Sequence, residues 1–352
     1  MMERTKKTAR AVVLFSGGMD SMLAAAVLKR QGVRVEAMCV LMPYHDSCES
    51  ARRAAEQLGV PFCARWVEQD YFAMLRSPRH GRGSAANPCT DCHAYMARMA
   101  HRRMLETGAD FVATGDVLGQ RPCSQKRMHL DIIMKRSGLG DRLLRPLSAK
   151  LLPQTLPERE GMVGREGLYE FSGRRRNGLL ELAEELGILL PASEKPDADR
   201  RRLTPSSGCR LTLKDFAPRF FDVFENLAAD RADGWHYGTL GFGRHFRLTP
   251  TTKVVVARNE SEGGMLERFF HHPSRRDAAM MMPLETGFTG PTVLILGEIS
   301  AEACQLAGGL LLWYAKEKIS QTILFYSSQP GVVEPELRVI EPVPEAATMT
   351  ML

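Results

Sequence analysis

Ser16-Gly17-Gly18-Met19-Asp20-Ser21 follows directly on the apolar run 11–15 and leads into a segment where Met22, Leu23, Ala26 and Val27 recur at helical spacing. The run has the length of a buried strand, and the apolar face after it predicts a helix from about Ser21 to Arg30. A strand, a glycine turn and a helix in succession place backbone N–H groups at the positive end of the helix, where they favour an anion. Gly17 and Gly18 let the backbone approach that anion closely, and Ser16 and Ser21 add hydroxyl donors. No lysine stands where a Walker A loop needs one, so ordinary γ-phosphate transfer fits this stretch poorly. Asp20 would repel a phosphate unless a divalent cation lies between them, which makes it the expected magnesium ligand.

Outward from the loop, apolar runs at 33–42, 62–67 and 111–114 alternate with helical patterns at 49–58, 89–107 and 124–136. That alternation predicts an α/β fold with a doubly wound parallel sheet. A further helix is expected at 178–186, with Leu179, Leu182, Ala183 and Leu186 on one face. Residues 191–205 are polar, charged and proline-bearing and read as a connector. After Trp235 the pattern becomes strand-like, at 245–248 and 253–257, and helical spacing returns at 301–318. The expected organisation is an α/β nucleotide domain over 10–190, a connector with the third cysteine of interest over 191–234, and a smaller C-terminal α+β module over 235–340. The tail from Glu334 is expected to be loosely held.

The 352 residues suffice for two domains, and 44% hydrophobic with 25% charged residues is the balance of a soluble globular protein. The 47 basic and 41 acidic side chains leave +6, compatible with an anionic partner such as RNA. No stretch of about eighteen uninterrupted apolar residues occurs, so no membrane partner is expected. The run 12–15 is too short for a signal-peptide core, and a cytoplasmic location is the expectation. In that reducing compartment the eight cysteines point to thiol or metal chemistry, not to a disulfide framework. Cys39 and Cys63 fall in expected strands and Cys304 on an expected helix, where cysteine serves as a small hydrophobe. Cys48 and Cys123 lie in polar loops and stay open.

Asn87-Pro88-Cys89-Thr90-Asp91-Cys92-His93 puts two thiols three residues apart at a helix start. The helix dipole lowers a thiol pKa there, and the spacing also suits one shared metal. Cys209, in Ser206-Ser207-Gly208-Cys209, adds a third thiol. Four thiolates are the usual complement of an iron–sulfur cluster, so three would leave one iron open to an external sulfide. A redox-active set and a structural zinc site are the alternatives. Downstream, Ala113-Thr114-Gly115-Asp116-Val117-Leu118-Gly119-Gln120 leads to Ser124-Gln125, then to Leu144-Arg145-Pro146-Leu147-Ser148 and Lys150. Asp116 and Gln120 lie beyond the C-terminal end of an expected strand, where open parallel sheets bind ligands. Lys150 offers a cation for charge developing on phosphates.

The loop matches the SGGxDS signature of the PP-loop ATP pyrophosphatases. The downstream set resembles the tRNA 4-thiouridine synthases, with their TG(E/D)xLGQ, a nearby SQ, and RPL followed by lysine. The stretch from Cys92 to Ala100 is similar to that family's C(K/R)xxMxRxA, and Asn87 to Cys92 matches the NPCxxC of the related 2-thiouridylases. The resemblance spans roughly residues 10–190. It implies that ATP and magnesium are bound, with Ser16, Gly17, Gly18, Ser21, Gly115, Asp116, Gln120, Gln125 and Lys150 on the nucleotide and Asp20 on the ion. It implies further that a tRNA uridine is adenylated. Sulfur, as a persulfide on Cys92 or Cys89 with Cys209 as third catalytic thiol, or as sulfide on a 4Fe-4S cluster held by these three, then displaces AMP. A 4-thiouridine product is favoured over 2-thiouridine. The implied partners are tRNA and a sulfur donor, either sulfide or a cysteine desulfurase, with a homodimer left open.

The known 4-thiouridine synthases carry an N-terminal THUMP region, for which the ten residues before the loop strand leave no room. A rhodanese pattern is also lacking after Pro205, so RNA capture and sulfur supply are expected from elsewhere. The stretch Gly243 to Leu248 with Lys253 to Glu260 resembles the NFACT-R type of RNA-binding module. Its cations would be Arg244, Arg247, Lys253 and Arg258, and His245 and Phe246 would stack on bases. The runs Arg174–Arg176 and Arg200–Arg202 could track phosphates. Two other readings stand beside this one: a small-molecule adenylating enzyme with a structural zinc, and a non-catalytic RNA-binding or sensing protein.

Overall fold

β1 (Arg10–Leu14) runs straight into the glycine turn and α1 (Met19–Arg30). Then come β2 (Arg34–Leu41), α2 (Glu49–Leu58), β3 (Phe62–Trp66), α3 (Gln69–Arg76), α4 (Cys89–Thr107) and β4 (Phe111–Thr114). α5 (Arg127–Arg136), β5 (Leu143–Leu144), α6 (Leu156–Arg159) and α7 (Asn177–Glu185) complete the first unit. The strands form one parallel sheet in the order β3-β2-β1-β4-β5. β1 is central, with Val13 paired to Ala37 on one side and to Ala113 on the other, which is why it reads as an unbroken apolar run. Strand succession moves outward from β1 to β3 and then returns to β4. The order therefore reverses between β1 and β4, and the crevice beyond their C-terminal ends is where such sheets bind ligands. This is the doubly wound sheet that the sequence predicts.

The computed structural model describes residues 8–44, 48–190, 209–228, 230–284, 288–316, 320–327 and 336–352. The chain divides into two units, 1–42 with 46–209 and 43–45 with 210–352. The connector reading at 191–205 and the run Arg200–Arg202 lie outside the described residues.

Two expectations for the first unit are corrected. The helix expected from Ser124 begins at Arg127, because the turn before it closes on itself: Gly119 N–H donates to the Gln125 carbonyl at 2.7 Å. Cys39 and Cys48, one read as a lone strand hydrophobe and the other left open, form a disulfide across nine residues. It ties β2 to the start of α2.

The second unit opens with α8 (Ala217–Asn226) and α9 (Gly234–Thr239). β6 (Arg244–Thr249), β7 (Thr252–Val256), α10 (Glu260–Phe270), β8 (Ala278–Pro283), β9 (Val293–Gly297), α11 (Ala301–Tyr314), β10 (Gln321–Ser327) and β11 (Glu336–Ile340) follow. The strands form an antiparallel six-stranded sheet ordered β11-β10-β8-β9-β7-β6. Its two-residue period sorts the core: Val254, Val256, Ala279 and Met281 pack with α11, while Val255, Ala257, Ala278 and Met280 pack with Leu266 and Phe270 of α10. Helices on both faces of an antiparallel sheet make this the smaller α+β unit of the sequence reading. The tail is not loose throughout, since β11 pairs along β10 and Met351 bridges to Phe246.

Asp233 caps α9, accepting from the Trp235 and His236 amides at 3.1 and 3.3 Å, and it holds Arg276 at 2.5 Å. Burial pushes this carboxyl up, but hydrogen bonds from His236 and Arg276 outweigh it and bring the pKa down from 3.8 to about 2. A depressed carboxylate stabilises the fold above its unfolded pKa and loses that contribution as pH falls through the folded value. Asp233→Ala is therefore expected to cost about 1–2 kcal/mol at pH 7. In urea titrations the gap from wild type should narrow as pH falls from about 4 to about 2.

Candidate active site

The loop between β1 and α1 is shaped by what surrounds it. Phe15 continues the strand, its N–H donating to the Met38 carbonyl at 2.8 Å. Gly17 then adopts φ +77°, and a Cβ there would lie 2.7 Å from Ala51 Cα, so the loop rests against the first turns of α2. Gly18 is the N-cap of α1. The Ser21 hydroxyl donates to the Gly18 carbonyl at 2.8 Å and lies 3.4 Å from that of Ser16, which places both hydroxyls at the mouth of the helix. Asp20 sits in the first turn with Arg176 Nη2 3.5 Å from its Oδ1. The run Arg174–Arg176 thus contributes one arginine to the loop, a role that its sequence as a surface triplet did not reveal.

Gly115, just after β4, approaches the loop from the other side. A Cβ on it would come within 2.5 Å of the Asp20 carbonyl carbon and 2.6 Å of Ser21 N, so only glycine allows this approach. The two arms of the switch point meet there in backbone contact. Asp116 follows, buried, accepting from Thr114 Oγ1 at 2.8 Å and from Gln125 Nε2 at 3.0 Å. Arg145 Nε lies 3.6 Å from one of its oxygens and His93 Nδ1 3.7 Å from the other. Burial would raise the Asp116 pKa, yet the net shift is downward through its charged and hydrogen-bonding neighbours. Burial lowers the pKa of His93 despite Asp116, while the charges of His93 and Arg145 and the hydrogen bonds from Gln125 and Thr114 hold the Asp116 carboxyl down. Gln120, 3% exposed, has a side-chain oxygen without a hydrogen-bond partner among the described residues, an acceptor open to a ligand or a water. His93 and Arg145 belong to motifs visible in the sequence. Their link to Asp116 is tertiary and left no sequence signal.

Cys89 and Cys92 occupy the first turn of α4. Cys89 Sγ accepts from Asn87 Nδ2 at 3.0 Å, and Cys92 Sγ lies 3.5 Å from Tyr71 Oη. The expectation of a lowered thiol pKa is overturned. Burial raises both thiols, with Asn87 only partly opposing it at Cys89 and Tyr71 only partly opposing it at Cys92. Charge on Cys209 raises Cys92 further, so the third cysteine does lie in this neighbourhood. Cys123 joins it from the other side: its carbonyl accepts from Thr90 Oγ1 at 3.1 Å, and its charge bears on Cys89. Among the described residues, however, no three metal-ligating side chains come together closely enough to hold an ion.

Lys150 is placed elsewhere. Its Nζ donates to the Glu166 carbonyl at 3.1 Å, and it lines a groove of about 470 Å³ with Arg30, Tyr169 and Phe171. Arg30 ends the 12-residue α1, about 18 Å along the helix from the phosphate loop. In the second unit, the cations read for RNA are mostly engaged internally. Arg247 and Lys253 bond Asp222 of α8 at 2.7 and 2.8 Å, and Arg258 holds Glu262 at 2.6 Å. Arg244 lies over the Tyr314 ring. His245 and Phe246 are 0% and 2% exposed, so neither ring can stack on a base.

Two family models match the chain. One, described as the NFACT protein RNA binding domain, covers residues 243–349, and the other, a family of unknown function (DUF7411), covers residues 9–140. The tRNA-specific 2-thiouridylase MnmA of Methylobacterium nodulans is 31% identical over 296 residues, spanning 72% of this chain and 68% of that protein. MnmA of Geobacter metallireducens is 32% identical over 140 residues, spanning 33% of this chain and 36% of that protein. This chain therefore spans about a third of the Geobacter protein's length, against 68% of the Methylobacterium one. A solved 4-thiouridine synthetase–RNA complex with bound ATP is 20% identical, covers 51% of this chain and 51% of that chain, and superposes with a TM-score of 0.33. Matched along more than two thirds of the Methylobacterium protein, this chain belongs to the MnmA family of PP-loop tRNA thiouridylases.

Proposed function

We propose that the protein is an ATP-dependent tRNA sulfurtransferase, which adenylates the carbonyl oxygen of a tRNA uridine and replaces that oxygen with sulfur. One observation carries this reading: the phosphate loop, the Gly115–Asp116 arm and the cysteine-bearing helix converge, the first two by backbone contact and the third through His93 at 3.7 Å from Asp116.

A uridine carbonyl oxygen is a poor leaving group. Its attack on the α-phosphate of ATP turns it into an adenylate and releases pyrophosphate. Ser16, Gly17, Gly18 and Ser21 hold the phosphates through N–H and hydroxyl donors at the start of α1. Arg176 adds a cation beside them. A magnesium ion, when bound, supplies neutralising charge between phosphates, and Asp20 is the residue to hold it. Asp116, fixed by Arg145, Thr114 and Gln125, positions His93 and the arm carrying Gln120.

Sulfur travels as a persulfide in this reading, supported by the placement of Cys89 and Cys92 together in the first turn of α4. The terminal sulfur of a persulfide on Cys92 or Cys89 attacks the activated carbon and AMP departs. The other thiol of the pair then attacks the cysteine sulfur, which frees the thiocarbonyl and leaves Cys89 and Cys92 as a disulfide for an external reductant. Burial keeps the resting thiols protonated, and a persulfide, a stronger acid than its thiol, is the species able to ionise there. RNA affinity comes from the second unit, through the module matched over residues 243–349.

Nucleoside analysis of tRNA from cells lacking the gene tests the reading. The expected result is loss of one thionucleoside, and the Gly115–Gln125 motif set favours 4-thiouridine. Loss of 2-thiouridine instead would correct the position while keeping the chemistry. An unchanged set of thionucleosides would sink the proposal.

A further inference from the structure

Residues 83–87, just ahead of Cys89, fold into a loop around one side-chain amide. Gly83 N–H donates to the Asn87 carbonyl at 2.8 Å and closes the loop. Inside it the Asn87 side chain is buried. Its Oδ1 accepts from the Ala85 amide at 3.3 Å, which turns the other end of the group, Nδ2, onto Cys89 Sγ at 3.0 Å. Gly83 makes room for this, since a Cβ there would fall 2.3 Å from Nδ2 and 2.8 Å from Oδ1. Arg82 braces the loop by donating to the carbonyls of Leu75, Arg76 and Ala86 at 2.6, 3.2 and 3.2 Å. His80 ties the approach to α4: its N–H donates to one oxygen of Asp91 at 2.8 Å, and its ring Nδ1 lies 2.8 Å from the other.

The partner of Cys92 is shared instead. Its sulfur lies 3.5 Å from Tyr71 Oη, and that hydroxyl also donates to Met42 Sδ at 3.3 Å, so two sulfurs face one hydroxyl. Cys92 is buried as well, whereas Cys89 is partly exposed. The two thiols stand three residues apart in one helical turn and so lie on the same face. A thiol attacks a sulfur–sulfur bond as its thiolate. An N–H aimed at the sulfur receives the charge of that form. The donor at Cys89 therefore separates two roles that the sequence leaves equal. Cys92, next to His93 and hence on the side of Asp116, suits the sulfur carrier, and Cys89 suits the nucleophile that releases the product.

We infer that Asn87, held in place by Gly83, is a positioning residue for sulfur release: it presents Cys89 as the resolving thiolate, while Cys92 carries the persulfide. The inference rests on the sulfurtransferase reading above. The terminal sulfur of the Cys92 persulfide bonds to the activated uridine carbon as the bond from that carbon to the AMP oxygen breaks. Cys89, its proton given up to water, then attacks Cys92 Sγ. The bond between Sγ and the transferred sulfur breaks, and its electron pair stays with the transferred sulfur as the thiocarbonyl. The two cysteines are oxidised to a disulfide, which an external thiol reduces.

Single-turnover reactions test this, with the full chain loaded from inorganic polysulfide and mixed with ATP, magnesium and a tRNA transcript. The intermediate is a tRNA–protein disulfide, seen on a non-reducing denaturing gel and lost with dithiothreitol. Cys89→Ser should accumulate it, and mass spectrometry should place it on Cys92. Asn87→Asp keeps the shape of the side chain and an oxygen for the Ala85 amide, but puts an acceptor where the N–H donor stood. It should slow decay of the intermediate about tenfold more than its formation, as loss of one hydrogen bond to a charged group does. Gly83→Ala leaves the amide chemically intact but pushes it off the sulfur, and should shift the same ratio in the same direction. A purely structural role for Asn87 would slow formation and decay together and would overturn the inference. So would decay at the wild-type rate in Asn87→Asp, or an adduct trapped on Cys89 in Cys92→Ser. If thermal melts show that Asn87→Asp does not fold, Gly83→Ala decides by the same ratio. A wild-type chain that thiolates tRNA while Cys89→Ser traps nothing overturns the assignment alone. A wild-type chain that neither exchanges pyrophosphate nor thiolates tRNA overturns the sulfurtransferase reading itself.

Discussion

Cys92→Ser is expected to abolish thionucleoside formation while ATP–pyrophosphate exchange stays within about twofold of wild type. The two half-reactions depend on different elements. In the proposed mechanism adenylation uses the loop between β1 and α1, whereas Cys92 belongs to the first turn of α4. A serine hydroxyl cannot carry sulfane sulfur, so the loss should be complete, not graded. The exchange assay is the control that separates lost chemistry from lost fold, since Cys92 is buried against Tyr71 and a substitution there also disturbs packing. Loss of both activities together would mean that the cysteine supports the nucleotide site. Normal thiolation would remove Cys92 from the sulfur path altogether.

Asp116→Ala should be the most destabilising single change at the site. It strands the Arg145 guanidinium, whose side chain is 5% exposed, with its Nε facing no other carboxylate among the described residues. Removing one partner of a buried ion pair costs about 3–5 kcal/mol. For a unit of this size that corresponds to a fall in Tm of roughly 10 °C. The double variant Asp116→Ala/Arg145→Met no longer buries a lone charge and should recover much of the loss. Exchange activity should not return with it, because His93 and the Gln120 arm lose the carboxylate that orients them. Calorimetry on the three variants checks the first claim and pyrophosphate exchange the second. An unchanged Tm for Asp116→Ala would show that the pair is not what holds this arm.

The parts of this protein legible in its sequence are the local ones. A strand, a glycine turn and a helix need only neighbours in the chain, and residues 10–30 fold as they read. The parallel sheet followed from the alternation of apolar runs and helices, whereas the order of its strands came only with the structure. What could not be read was set by partners distant in sequence. Lys253, on β7, looked like a free cation because Asp222, which neutralises it, lies 31 residues upstream on α8. Cys92 looked activated because its place at a helix start is visible in the sequence and its burial is not. Lys150 follows a motif that pointed to phosphate, yet the turn after β5 carries it to the far end of α1. Cys39 and Cys48 sit where a strand and a loop are expected, and only the path of the chain between them brings their sulfurs together.

That bond gives the nucleotide loop an unusual dependence. Gly17 rests on α2 at Ala51, and the start of α2 is held to β2 by the Cys39–Cys48 link. A bridge across nine residues restricts the unfolded chain by roughly 2–3 kcal/mol in the chain-entropy account. Each turnover by the persulfide route ends in a disulfide that some external thiol must reduce, and the same thiol pool has access, in kind, to the bond behind Gly17. On the persulfide route proposed above, the poise of the surroundings sets two things at once: how quickly sulfur transfer is reset, and how firmly the wall behind Gly17 is anchored.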